Sequence, residues 1–210
     1  MARNDQLRDK VVTYLQDAAA MEKQIEEILE KQVDDTKPWP QIQARIREHL
    51  DETKIHRQRM EECLKAYNEK PSGVKSAVAT MMGNLAGATA GARSDALAKE
   101  ARDDYTTEHL EIASYLLLIA TAQAYGDTTT VQACEANLRD EVRMAHWLEQ
   151  HMAQTALLSY EKDSIQIPQA DRLAAESVAE QALLQARDAA GIFSQQSGTG
   201  MGTTQPRGTL

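Results

Sequence analysis

Each of four long helical patterns in the sequence carries a glutamate on or beside its apolar face. These residues are Glu22, Glu52, Glu108 and Glu141. A further glutamate, Glu111, follows Glu108 by one helical turn, about 60° around the helix, so both side chains can face the same interior. An ionised carboxylate that is buried alone costs several kcal/mol, so such a set requires cations or protons to offset its charge.

Two histidines accompany Glu52 on the second pattern. His49 precedes Glu52 and His56 follows it, and the spacing places all three side chains within about 60° of one another on a helix. Imidazole nitrogen is therefore available beside the carboxylates. A bundle that gathers carboxylates from four helices, with imidazole nearby, is typical of di-iron and di-manganese proteins.

The charges of the candidate ligands fit this interpretation. Two divalent cations would largely offset several carboxylates, and oxygen ligands with some nitrogen suit iron or manganese better than zinc or copper(I). The sequence therefore predicts a dinuclear iron or manganese site, in which Glu52 and Glu141 are the candidate bridges. Its predicted ligands are Glu22, Glu52, His56, Glu108, Glu111 and Glu141.

The predicted ligand set departs from the usual pattern in one respect. Di-metal bundle proteins take a Glu-x-x-His from each of two helices. Here the residue three positions after Glu52 is Ile55, and the residue three positions after Glu141 is Met144. The pattern therefore leaves the site short of one nitrogen ligand.

Several alternatives remain open for the missing nitrogen. His56 can replace the usual histidine on the second helix, whereas His146 is about 140° around the helix from Glu141 and is expected to point elsewhere. Water or His49 could complete the site, or the site could bind metal weakly or have lost it. Tyr115, on the third apolar face, is interpreted as core packing, with oxidation by a nearby metal pair as the alternative.

Apolar spacing predicts the elements that position these residues. It favours four long helices, over residues 9–34, 41–68, 103–122 and 128–158. Pro38 and Pro40 are predicted to end the first helix, and Gly126 is the predicted left-handed terminator of the third. Residues 71–99, rich in glycine and alanine, are expected to form a long crossover. The fold class is therefore all-α, a ferritin-like four-helix bundle with a long crossover and an additional C-terminal helix.

The chain is expected to have three parts. Residues 1–158 form the bundle, residues 159–193 form a linker and a fifth helix with a thin apolar side, and residues 194–210 form a disordered tail without apolar periodicity. We expect the fifth helix to dock on the bundle or on another subunit. Paired bundles are common in this architecture, so a homodimer or a higher homo-oligomer is expected.

Bulk composition excludes some partners and favours one compartment. The formal net charge is −9 in 210 residues, which argues against nucleic acid or an anionic membrane as a partner. The two cysteines, Cys63 and Cys134, have no metal-binding or redox motif around them. No apolar run is long enough to span a membrane, and the N-terminus lacks the apolar centre of a signal peptide. We therefore expect a cytoplasmic protein.

The sequence also resembles a known family, the bacterial YciE/YciF-type stress proteins of the ferritin-like superfamily, also called domain of unknown function 892. The resemblance covers residues 9–158 and rests on His49–Thr53, Glu108–Tyr115, Met144–Leu148 and Met21–Gln24. The pair of glutamates in the second of these is also similar to the doubled glutamate of rubrerythrins, which are di-iron peroxidases.

The resemblance implies a stress-associated protein whose dinuclear centre reacts with dioxygen or peroxide. A non-enzymatic structural or interaction protein with a degenerate metal site is the alternative, and the missing Glu-x-x-His supports it. Iron storage is a third interpretation, and it requires a large shell-forming assembly.

Overall fold

The computed structural model describes residues 2–71 and 95–191, and all regular secondary structure in these residues is helical. The predicted all-α architecture is therefore confirmed. The helices are α1 (Ala2–Asp35), α2 (Pro40–Ala66), α3 (Ala96–Tyr125), α4 (Thr128–Ser159) and α5 (Gln169–Ala189), with a short 3-10 helix (Tyr160–Asp163) after α4. Most of the predicted crossover and the predicted tail lie outside the described residues.

The ends of α1 and α2 follow from local chemistry. Pro40 stands in the first turn of α2, where its missing N–H costs nothing. The Thr36 hydroxyl donates to the Gln32 carbonyl at 2.6 Å, and the Trp39 amide donates to the Thr36 carbonyl at 2.8 Å. These bonds satisfy backbone groups in a short connection, and helices joined so closely pack as antiparallel neighbours.

A two-residue turn joins α3 to α4. Gly126 has φ +94°, a left-handed conformation that glycine adopts without strain, and its amide donates to the Ala122 carbonyl at 2.9 Å. Asp127 then caps α4, since its carboxylate accepts from the Thr130 amide at 3.0 Å. The predicted terminator is at the predicted position.

The four long helices bury two large apolar clusters. α1 packs chiefly against α2, and α3 packs against α4, with further contacts of α1 with α3 and of α2 with α4. The first apolar cluster consists of Val11, Val12, Leu15, Ala18, Ala19, Met60, Cys63, Leu64, Tyr115, Leu118, Ala122 and Cys134. The second apolar cluster consists of Met21, Ile25, Leu29, Ile42, Ile46, Leu50 and Leu97. Along α1 and α2, the polar residues described below lie between them.

The chain divides into two compact units, Met1–Gln166 and Ile167–Leu210. The second unit contains α5, in which no residue is buried. Leu173, Val178 and Leu184 are exposed on α5. The docking of this helix stays a prediction. Among the described residues, no helix has the length and apolar character of a membrane span.

Candidate metal centre

A set of charged side chains fills the interior of the bundle between the two apolar clusters. α2 contributes two histidines and α3 contributes two glutamates, while α1 and α4 contribute one glutamate each. None of these side chains is more than 2% exposed. The set is Glu22, His49, His56, Glu108, Glu111 and Glu141.

Helical spacing explains why these side chains meet. His49 and His56 are two turns apart on α2 and therefore share a face, as Glu108 and Glu111 share a face of α3. Apolar residues occupy the neighbouring inward positions of each helix, so burial of the apolar residues carries the charged ones inward.

The ligand-type atoms of this set form two groups. In the His49 group, atoms of His49, Glu108, Glu111 and Glu141 all lie within 4.8 Å of one another. In the His56 group, atoms of Glu22, His56 and Glu141 do the same. Glu141 belongs to both, so the two groups are adjacent in the bundle interior.

The closest contacts pair a ring nitrogen with a carboxylate oxygen. His49 Nε2 is 3.0 Å from Glu108 Oε1, and His56 Nδ1 is 2.7 Å from Glu141 Oε1. Despite these short distances, neither pair of atoms forms a hydrogen bond. The two ring nitrogens and Glu141 Oε1 are therefore buried without a hydrogen-bond partner, although a group of potentially opposite charge lies close to each.

The carboxylates show the same lack of partners. Both oxygens of Glu111, both of Glu141 and one each of Glu22 and Glu108 are buried without a hydrogen bond. A buried polar atom left unsatisfied costs about 1–3 kcal/mol, and more when it is charged. Oxygen and nitrogen atoms converging in this way fit divalent iron or manganese, which such atoms bind.

Burial also changes the protonation of the carboxyl groups. Burial, together with the nearby Glu141, raises the pKa of Glu22 to about 8. Burial raises the pKa of Glu108 to about 7 although His49 opposes the change, and it raises that of Glu111 well above its ordinary value. Without a cation, these three carboxyl groups would therefore hold protons near neutral pH.

The pKa values of the two histidines also rise, but for a different reason. Burial lowers the pKa of an imidazole, but the Glu108 carboxylate outweighs it at His49 and the pKa there rises well above the ordinary value. At His56, contacts with Glu141 and Glu22 outweigh burial and raise the pKa to about 9. Protons and metal ions would therefore compete for the same atoms.

A hydrogen-bonded chain fixes the α1 side of the His56 group. The Tyr115 hydroxyl donates to Glu22 Oε1 and accepts from the Asn137 amide at 2.8 Å. Asn137 in turn accepts from Arg59 at 2.8 Å. Tyr115, interpreted from the sequence as core packing, thus also holds a candidate ligand. Asn137 was missed, although it stands four residues before Glu141 on α4.

The structure does not bring Glu52 into either group. Its Oε1 accepts from Arg143 at 2.8 Å, while its Oε2 lies 3.4 Å from both Arg45 and His49 Nδ1. Burial opposes ionisation, but His49 and the two arginines lower the pKa of Glu52 to about 2. The next residue, Thr53, faces inward instead, and its hydroxyl is buried without a hydrogen-bond partner. His49, considered above as an alternative ligand, lies in the place expected for Glu52.

Three further residues of α4 bear on the ligand set. Asp140, which the sequence reasoning did not select, lies 3.0 Å from His56 Nε2 through its Oδ2. Its only signal in the sequence is that it directly precedes Glu141. His146 is exposed and lies 3.7 Å from Glu149, outside both groups. Met144, three residues after Glu141, is fully buried.

Comparison with known proteins identifies one matching family. The sequence profile described as "Domain of unknown function (DUF892)" matches residues 6–160. This range contains every residue of the two groups.

Several solved structures have similar folds. A protein from Xanthomonas campestris pv. campestris is 30% identical, with a TM-score of 0.65, over 76% of this chain and 99% of that chain. YcfI from Rhodopseudomonas palustris, described as a suspected structural protein, is 26% identical, with a TM-score of 0.60, over 68% and 92% of the two chains.

The third similar structure is the Escherichia coli stress protein YciF. It is 21% identical, with a TM-score of 0.61, over 76% of this chain and 98% of that chain. At this identity the likeness concerns the fold alone, and it confirms the predicted ferritin-like helical bundle.

Proposed function

The chain belongs to the DUF892 family of YciF-type proteins, and on that premise we propose that its bundle holds a dinuclear iron or manganese centre in a stress-associated protein. When bound, such a pair of ions supplies the electrons for reaction with dioxygen or peroxide. The single observation that carries the proposal is the convergence of unpartnered nitrogen and oxygen atoms in two adjoining groups.

The two groups suggest how the ligands would divide. Glu141 belongs to both groups and is the proposed bridge. Glu22 and His56 would hold one ion. His49, Glu108 and Glu111 would hold the other. Glu52, predicted from the sequence as a bridge, lies outside both groups and is not included among these ligands.

The residues around the groups have their own proposed roles. Tyr115 donates a hydrogen bond to Glu22 and so orients its free oxygen toward His56. The two apolar clusters exclude bulk water from the centre, which strengthens every electrostatic interaction inside it. Ligands that hold a proton must lose it before a cation binds, so uptake should release protons.

The test is metal content with and without the shared ligand. The chain is expressed in medium supplemented with iron or manganese, and bound metal is measured beside that of Glu141→Gln and of Glu135→Gln, an exposed glutamate on the same helix. We expect close to two ions per chain in the wild type and in Glu135→Gln, and strong loss in Glu141→Gln. Equal trace metal in all three proteins would contradict the proposal.

A non-enzymatic structural or interaction role is the second candidate. Met144 is fully buried at the position where bundle di-metal proteins have a histidine, which favours a degenerate site. The two candidates differ in their response to chelators. Ions present at about a hundred times their Kd would stabilise the folded state by about 2.7 kcal/mol, whereas a protein without metal would unfold identically in chelator and in manganese.

The remaining expectations concern the assembly and location of the protein. We propose a homodimer or a higher homo-oligomer, because paired bundles are common in this architecture. We propose a cytoplasmic location, because the two cysteines have no metal-binding or redox motif around them. Size-exclusion chromatography with light scattering measures the assembly directly. A dimer would count against iron storage, which requires a shell of many copies.

A further inference from the structure

Both interior histidines have a carboxylate on the side that faces away from the two groups. His49 directs Nε2 toward Glu108 and Nδ1 toward Glu52 Oε2, at 3.4 Å. His56 directs Nδ1 toward Glu141 and Nε2 toward Asp140 Oδ2, at 3.0 Å. The nitrogen that faces the groups is therefore Nε2 in His49 and Nδ1 in His56, and the other nitrogen of each ring faces an outer carboxylate.

One arginine joins the two outer carboxylates. The same terminal nitrogen of Arg143 lies 2.8 Å from Glu52 Oε1 and 2.8 Å from Asp140 Oδ1. A continuous chain of contacts therefore runs from His49 through Glu52, Arg143 and Asp140 to His56. It connects the two groups on the outside of the centre, whereas Glu141 connects them on the inside.

A carboxylate on the outer nitrogen of a histidine fixes both the tautomer and the ring orientation. It keeps the N–H on the outer nitrogen, so that the inner nitrogen presents its lone pair. In this chain the outer carboxylates would place the proton of His49 on Nδ1 and that of His56 on Nε2. The nitrogens left free would be His49 Nε2 and His56 Nδ1, the two that belong to the groups.

We propose that Glu52 and Asp140 are positioning residues that orient His49 and His56 as metal ligands, and that Arg143 holds both carboxylates in place. This inference rests on the proposed metal centre. It gives Glu52, which lies outside both groups, a role through His49. It also means that both halves of the centre depend on one solvent-facing side chain, since Arg143 is 59% exposed.

The simplest competing interpretation is an ordinary surface ion-pair network. Exposed ion pairs contribute little to stability, and their loss would leave metal affinity unchanged. Arg57 provides a matched control, because it contacts Glu26 at 2.8 Å and Glu61 at 2.9 Å. Neither carboxylate contacts an interior histidine.

The experiment titrates the metal-free full-length chain with Mn²⁺ and follows free manganese by electron paramagnetic resonance. We expect Arg143→Gln and Asp140→Ala to weaken binding about 10-fold or more, while Arg57→Gln matches the wild type. Asp140→Asn should restore part of the affinity, because its amide oxygen still accepts a hydrogen bond. Circular dichroism establishes that each variant is folded. Glu52→Gln is a second conservative variant, which makes the corresponding change at the carboxylate beside His49.

Nitrogen-15 NMR of the Zn²⁺-loaded chain gives a readout that a purely structural role would not change. We expect the wild type to carry the ring proton of His49 on Nδ1 and that of His56 on Nε2. Asp140→Ala should change the His56 signals more than those of His49.

Two results would overturn the inference in distinguishable ways. Wild-type affinity in both Arg143→Gln and Asp140→Ala would remove the positioning role and leave the metal centre intact. A wild-type chain that binds no Mn²⁺ would remove the metal centre itself, and the positioning role with it.

Discussion

The first apolar cluster and the two ligand groups occupy the interior of the same helices but have opposite energetic effects. Leu15 and Leu64 in the cluster are fully buried, as are Glu111 and Glu141 in the groups. Burial of apolar surface stabilises the fold by about 25 cal/mol per Å², whereas burial of unpaired carboxylates costs several kcal/mol. The comparison indicates that the apolar clusters supply the stability that allows the bundle to hold a destabilising polar centre.

Tyr115 shows that the two regions are not independent. Its ring belongs to the first apolar cluster, and its hydroxyl contacts Glu22 and Asn137. The same packing that stabilises the bundle therefore fixes a candidate ligand. Experiments that perturb each region separately test how far the division extends.

The largest expected effect is a pH dependence that arises in the polar centre alone. In the folded chain the pKa of Glu22 rises to about 8, that of Glu108 to about 7 and that of His56 to about 9. The metal-free folded state therefore binds more protons than the unfolded state from about pH 5 upward. Its free energy of unfolding should fall as the pH rises from 5 to 8, by about 1.4 kcal/mol per pH unit for each extra proton.

Denaturant titration in chelator at several pH values measures this slope. Manganese should oppose the decline, because deprotonated ligands bind the ion more tightly. Glu22→Gln should reduce the slope, while an exposed change such as Glu135→Gln should leave it unaltered. A flat profile in chelator would mean that the centre is not protonated as described.

The next largest effect is expected in the apolar cluster. Leu15→Ala should lower the free energy of unfolding by about 2–5 kcal/mol, since it removes a fully buried side chain and leaves a cavity. The loss should be the same in chelator and in manganese when each is measured relative to the wild type. A loss that depended on metal would show that the two regions are coupled more tightly than Tyr115 alone suggests.

The smallest effect is expected from replacing one carboxylate of the centre by an apolar residue. Glu111→Leu removes two buried oxygens that have no hydrogen-bond partner. In chelator this variant should be as stable as the wild type or more stable by about 1 kcal/mol, within the range found when buried charges are replaced. It should also lose much of the stabilisation by manganese. Thermal unfolding with and without the ion measures both, and clear destabilisation in chelator would contradict the prediction.

Much of the fold could be predicted from the sequence because its signals are local. Glycine at 126 ends α3 through its own backbone chemistry, as expected, and Pro40, expected in the break after the first helix, is instead the first residue of α2. The start of α1 at Ala2, rather than near Asp9, could not be read from apolar spacing. Residues before Asp9 are mostly polar, so they show no buried face and only their helix propensity favours the longer helix.

The candidate ligands show where local reasoning ends. Glu108 and Glu111 share a helix face, so their spacing alone predicts that they meet. Glu52 has a histidine on each side in the same way, but Arg143 reaches it from α4 and Arg45 lies against it. Spacing along α2 contains no information about a side chain on α4, and the same limitation explains why Asp140 was missed.

The turn at Gly126 and Asp127 has a consequence for how the length of this chain can vary. With two residues between helices, α4 has a fixed rotation relative to α3. One residue inserted into α4 between this turn and Glu141 would rotate Glu141 by roughly 100° around the helix and carry it away from Glu108. Relatives that keep the centre should therefore not gain or lose single residues between this turn and Glu141, whatever insertions they accept elsewhere.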